Sequence, residues 1–136
     1  MKRLVSNSII IIVILLSCFS CKNETTIQLE DLTLDNKQKW IANEETHIGM
    51  QAIDSILTNN TSLDEKSFGE ALSIQTSYII KSCDMIGEAH DQLHLVLVPI
   101  LEEITDIKDT TNTSELEKRV SHLKRLVAIY FEHFKT

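Results

Sequence analysis

Four stretches of this chain repeat apolar residues at helical spacing, with short polar connections between them. This feature constrains the fold most, because an amphipathic helix has to bury its stripe, and four joined by short links bury theirs against one another. The first stretch follows Asn43, an N-cap residue. Glu44 and Glu45 sit in its first turn, where carboxylates oppose the positive end of the helix dipole. Its apolar face reads Ile48, Ala52 and Ile56, with Ile53 and Leu57, and Thr58-Asn59-Asn60-Thr61 ends it. Ser62-Leu63-Asp64-Glu65 opens the second stretch as a capping box. Its stripe is Phe68, Leu72, Ile79, Cys83 and Ile86, widened by Ala71, Ile74 and Tyr78, and Gly87 interrupts it.

The third stretch runs from Glu88 to Ile107. Pro99 lies inside it and frees the Leu95 carbonyl, so a kink, or an end and restart, is expected there. After the loop Asp109 to Thr113, a second capping box, Ser114-Glu115-Leu116-Glu117, starts a helix that runs to Phe134. Its core positions read Leu116, Val120, Leu123, Val127, Tyr130 and Phe134. The prediction is an all-α, up-and-down four-helix bundle over residues 43–136, with Gly87 reversing the chain between the second and third helices. Three glycines and one proline are too few for a strand-and-turn architecture, and 136 residues allow one compact domain.

The chain begins MKRLVSNSIIIIVILLSCFSC. Lys2 and Arg3 precede the apolar run Ile9 to Leu16, which is too short for a membrane span and long enough for a signal-peptide core. Leu15-Leu16-Ser17-Cys18 resembles the lipobox of bacterial lipoproteins, with Leu at −3, a small residue at −1 and a lipidated cysteine. Cys21 is the alternative acceptor, with Ser20 at −1 but Cys18 at −3. Lys22-Asn23-Glu24 resembles the export tag of Bacteroidota-type lipoproteins. The resemblance implies a signal peptide over 1–17, a lipidated N-terminus and tether over 18–42, and a cell-envelope protein held to a membrane on its periplasmic or outer-surface face. Within the tether Ile27 to Leu34 is weakly apolar, and Trp40-Ile41 is expected to pack on the bundle.

Loss of Lys2 and Arg3 leaves 11 basic residues against 20 acidic ones, lowering the net charge from −7 to −9. Such a chain has no general attraction to nucleic acid or anionic lipid, so the lipid itself must hold it at the membrane. No phosphate-binding glycine loop, GxSxG elbow or HExxH motif occurs, and no catalytic residue set is identified.

The segment CDMIGEAHDQLH, Cys83 to His94, holds a thiol, a thioether and two imidazoles. His90 and His94, at i and i+4, lie on one helical face that continues through Leu97, Leu101 and Ile104. In an up-and-down bundle His47, Cys83, Met85, His90 and His94 share one end, a candidate metal site. Thiolate, thioether and imidazole together suit copper(I) first and zinc second. The competing reading makes the histidines boundary residues, Cys83 a small buried hydrophobe and Met85 a gap filler. His122 and His133 read as boundary or capping residues on the last helix. The segment also resembles a Cys-x-Met-x-Gly-x2-His-x3-His pattern of small uncharacterised helical envelope lipoproteins, which implies no established activity. The leading expectation is a non-enzymatic, lipid-anchored bundle that buffers or carries copper or zinc. The alternatives are an interaction module docking on another envelope protein without metal, and a haem-binding electron carrier. Covalent haem attachment is excluded because no CxxCH occurs.

Overall fold

The computed structural model describes residues 29–59 and 64–136. The lipobox-like segment with Cys18 and Cys21, and Ser62 and Leu63 of the first capping box, lie outside the described residues. Four helices follow a two-residue strand: β1 (Trp40–Ile41), α1 (Glu44–Asn59), α2 (Glu65–Ser82), α3 (Glu88–Asp109) and α4 (Thr113–His133), with β2 (Phe134–Lys135) last. Each helix packs on its neighbours in sequence, and α1 closes the ring against α4, which is up-and-down bundle topology. No described helix is long and apolar enough to cross a membrane.

The bundle has a base where α1 starts, α2 ends, α3 starts and α4 ends. Polar contacts tie these ends together. The Asn43 Nδ2 donates to the Ser82 carbonyl at 3.0 Å, and the Ala42 N–H donates to the Lys135 carbonyl at 2.8 Å. β1 pairs with β2 in parallel, Trp40 opposite Phe134 and Ile41 opposite Lys135. The segment before α1 is folded against this base. Trp40 and Ala42 are buried, and Leu29 and Leu32 pack on the core. The Trp40 indole N–H donates to the Thr33 carbonyl at 2.7 Å. Thr33 N–H in turn donates to the Gln92 Oε1 on α3 at 2.7 Å.

The buried faces follow the 3.6-residue period, but that of α1 is rotated from the expected one and that of α2 is narrower. On α1 the core side holds Thr46, Gly49, Met50, Ile53 and Leu57, while Ile48 is exposed. Ile48 stands two residues from fully buried Met50, about 200° around the helix. On α2 Phe68, Leu72 and Ile79 are buried as expected, and Thr76 completes the row. Ile74 does not widen that stripe but points outward, and Tyr78, 38% exposed, stands at its edge with its ring beside Gly49 of α1. The core row of α3 is Leu93, Val96, Leu97, Ile100, Glu103, Ile104 and Ile107. That of α4 is Leu123, Leu126, Val127 and Tyr130, with Phe134 beyond it, while Leu116 and Val120 are only half-buried.

Close helix approach explains the rotation of α1. A Cβ on Gly49 would stand 2.4 Å from the Ile79 Cγ1, so only glycine admits α2 at this distance. Gly69 plays the same part between α2 and α3, where a Cβ would lie 2.9 Å from the Lys108 Cα.

The helix ends also depart from expectation. α2 is capped by Asp64, whose Oδ1 accepts from the Ser67 N–H at 3.0 Å. α4 is capped by Asn112, whose Oδ1 accepts from the Glu115 N–H at 3.0 Å, two residues before the expected Ser114. α3 continues through Pro99 without ending. α2 stops at Ser82, so Cys83 and Ile86 belong to a five-residue connection, Cys83 to Gly87, and not to the helix stripe. Gly87 supplies a φ of +68° at the start of α3 but does not reverse the chain alone.

Candidate functional site

The topology brings His47, Cys83, Met85, His90 and His94 to the base, and local structure then separates them into two groups. The first group joins α1, α4 and the α2–α3 connection. His47, in the first turn of α1, is half-buried and reaches across to α4, where its Nδ1 lies 3.2 Å from the Tyr130 hydroxyl. With the imidazole proton on Nε2 the hydroxyl donates to Nδ1, and in the other tautomer Nδ1–H donates to the hydroxyl. Phe131 meets the same imidazole edge-on, with ring centroids 5.5 Å apart. Tyr130 is fully buried and stacked on Phe134 at 5.1 Å. Burial pushes its phenol well above the ordinary range, and the nearby Cys83 sulfur adds to the shift by disfavouring a second negative charge. Cys83 itself caps α2, its N–H donating to the Ile79 carbonyl at 2.9 Å. Cys83 and Met85 are both half-buried against the core.

The second group is the pair on α3. The Gly87 carbonyl accepts from the His90 N–H at 3.0 Å and the Asp91 N–H at 3.1 Å, which starts the helix and sets the two histidines one turn apart. Their rings lie 4.3 Å apart, tilted by 56°. His90 is half-buried and His94 exposed, so the pair sits on the flank of α3 and not at the end of its buried row. Among the described residues no group of three or more His, Cys, Asp or Glu side chains is placed to hold one metal ion.

The remaining histidines act as expected for boundary residues. The His133 Nδ1–H donates to the Ile129 carbonyl at 2.8 Å, satisfying an orphan acceptor at the end of α4. His122 pairs with buried Glu103 at 2.8 Å. Glu103 also meets Arg119 at 3.3 Å, and Arg119 binds Asp106 at 2.6 Å and Glu115 at 3.2 Å, so one guanidinium fastens α3 to α4. Glu103 carried a sequence signal: it stands three residues after Ile100 and four before Ile107 on the core row.

Sequence reasoning missed a surface on α2. Glu70, Ile74, Ser77, Tyr78 and Lys81 face outward along one side of that helix and, with Lys108 of α3, line an open groove of about 630 Å³. Ile74 is 64% exposed and Tyr78 38%. The signal was present, since Ile74 lies two residues from Leu72 and so about 200° away from the core row. A second groove, on α4, is lined by the polar residues Ser114, Glu117, Lys118, Ser121 and Arg125. No protein family model, curated protein or solved structure matches the chain.

Proposed function

We propose that this protein is a non-catalytic, lipid-anchored interaction module of the bacterial cell envelope, whose bundle side docks on another envelope protein. The observation that carries this reading is the outward apolar row of α2, Ile74 and Tyr78, set in an open groove while the other face of the helix is fully used by the core. An exposed apolar row rimmed by charged residues is the form that partner surfaces take. The anchor suits it. From Cys18 to Leu29 a chain of this length spans at most about 40 Å, so an anchor at Cys18 keeps the base, where Leu29 packs, within that distance of the bilayer. Three acyl chains, each methylene contributing about 0.8 kcal/mol on insertion, hold such a protein permanently.

The experiment is photo-crosslinking in cells. A crosslinking residue at position 74 should capture one discrete envelope protein that a residue at exposed position 102 does not. Equal capture at both positions, or none, rejects the docking surface. Labelled palmitate tests the anchor separately: incorporation should vanish when Cys18 and Cys21 are both replaced by Ala, and incorporation that survives the double change rejects it.

A second reading is favoured by the ring contact of His90 and His94. Two imidazoles one turn apart, with Cys83 and Met85 at the same end of the bundle, are donors for copper(I) or zinc, and such a protein would buffer or carry the ion. A native-state ligand at a hundredfold excess over its dissociation constant adds about 2.7 kcal/mol of stability. A thermal melt with one equivalent of copper(I) or zinc(II), under reducing conditions, should therefore rise in wild type and not in His90→Ala or His94→Ala. An unshifted melt in wild type rejects the metal reading.

A further inference from the structure

We propose that the α2 groove receives an amphipathic helix of a partner protein, with two apolar residues flanked on each side by a carboxylate. The inference rests on the docking-module reading above and names the chemistry of its partner. Its first ground is the arrangement of the lining. Glu70, Ile74, Ser77 and Lys81 stand at i, i+4, i+7 and i+11 on α2, a straight row about 16 Å long at 1.5 Å per residue. Lys108 stands at one end of the row, beside Gly69, and Lys81 at the other. Ile74 and Tyr78 occupy the middle.

The second ground is charge. The chain carries a net charge of −7, yet the groove holds two lysines and one carboxylate. A local excess of positive charge in an acidic protein selects carboxylates and turns away basic segments. Two copies of this acidic chain repel each other through their net charge, and a purely apolar ligand would cover the groove without pairing either ammonium group. The length also fits one class of occupant. Three turns of helix span the row, and a helix that repeats its own residues at i, i+4, i+7 and i+11 keeps all four on one face. The α4 groove has lysine and arginine but no apolar residue in its lining, so it offers such a helix charge without an isoleucine or tyrosine to anchor it.

The test uses the full chain in non-ionic detergent and two synthetic helical peptides. One carries Glu-x3-Leu-x2-Phe-x3-Glu, and the other has Gln in place of both Glu residues. Amide chemical-shift changes on the labelled protein report the site, and fluorescence anisotropy reports affinity. The acidic peptide should shift residues 70–81 and 108, and the neutral one should bind about tenfold more weakly. Raising salt from about 0.05 to 0.5 M should narrow that difference. Ile74→Glu should abolish binding. It alters an exposed position, so the circular dichroism spectrum should be unchanged. Lys81→Glu and Lys108→Glu should each weaken the acidic peptide, while Glu70→Gln should not.

Equal binding of the two peptides overturns the charge inference and leaves the docking surface standing. Shifts of the same residues by anionic phospholipid vesicles, or by raising the concentration of the protein alone, overturn it in favour of a lipid surface or a second copy. Binding of neither peptide, together with no capture from position 74 in cells, removes both the inference and the reading beneath it.

Discussion

At the scale of single residues, two positions carry more than their side-chain size implies. Tyr130 is held neutral by burial, with the Cys83 sulfur as the lesser cause, so its folded phenol titrates above the unfolded one. A raised folded value gives stability that is complete below the unfolded pKa, about 10, and is lost as pH rises past it. Urea midpoints should therefore fall as pH rises above about 10, and fall less in Tyr130→Phe. At neutral pH that variant loses the His47 hydrogen bond, a cost of about 1 kcal/mol. If the two proteins decline in parallel above pH 10, the buried neutral phenol is the wrong account. Gly49 sets a different limit. An alanine gains about 1 kcal/mol in helix propensity, but its methyl meets the fully buried Ile79 side chain. Overpacking of about 1–3 kcal/mol outweighs that gain, so Gly49→Ala should be less stable than wild type in urea. A stabilised variant would show that α1 and α2 part without cost.

At the scale of elements, the caps give a clear separation of alternatives. The Asn112 side chain, and not Ser114, accepts from the first turn of α4. Asn112→Ala should lower stability by about 1 kcal/mol, and Ser114→Ala should leave it within about 0.5 kcal/mol. The reverse result would restore the capping box read from sequence. Four helices, their order and most of their core rows were legible because periodicity of apolar residues needs no knowledge of the neighbours. The cap residues were not. Both connections offer several capping residues in succession, among them Asn60, Ser62 and Asp64 before α2 and Asn112 and Ser114 before α4. The choice falls to whichever residue leaves the following row aimed at the core. The exit of α2 was hidden for a related reason. Cys83 and Ile86 extend the apolar spacing, but two antiparallel helices 8–10 Å apart need more than one glycine between them. The chain gives up a turn of helix there, leaving Ile86 86% exposed. On α1 the exposure of Ile48 follows from Gly49, a tertiary contact that periodicity alone does not encode.

At the scale of the whole molecule, the shared end of the candidate residues was legible and their convergence was not. Topology alone delivers His47, Cys83 and the α3 histidines to the base. Whether they meet depends on side-chain direction, and the Tyr130 hydroxyl claims His47 while His94 turns to solvent. The same end decides where the folding unit begins. Sequence marks 18–42 as tether and 43–136 as bundle, with Trp40-Ile41 expected to pack on it; Trp40 is only 9% exposed, and its strand pairs with β2 beyond the last helix. Leu29 and Leu32 lie on the core as well. The segment thus links the first and last parts of the bundle across the base, where no helix-to-helix loop does so. Trp40→Ala should cost about 3–5 kcal/mol, as other buried aromatic truncations do, and comparably to Leu72→Ala or Val127→Ala at about 2–5 kcal/mol. A fragment of residues 43–136 loses Trp40, Ala42 and the β1–β2 pair together, so its urea midpoint should lie well below that of residues 29–136. Both fragments should remain helical by far-UV circular dichroism, since all four stripes are retained. Equal midpoints would mean that residues 29–42 rest on a bundle already complete without them, and this segment would then be free to detach while the bundle stays folded.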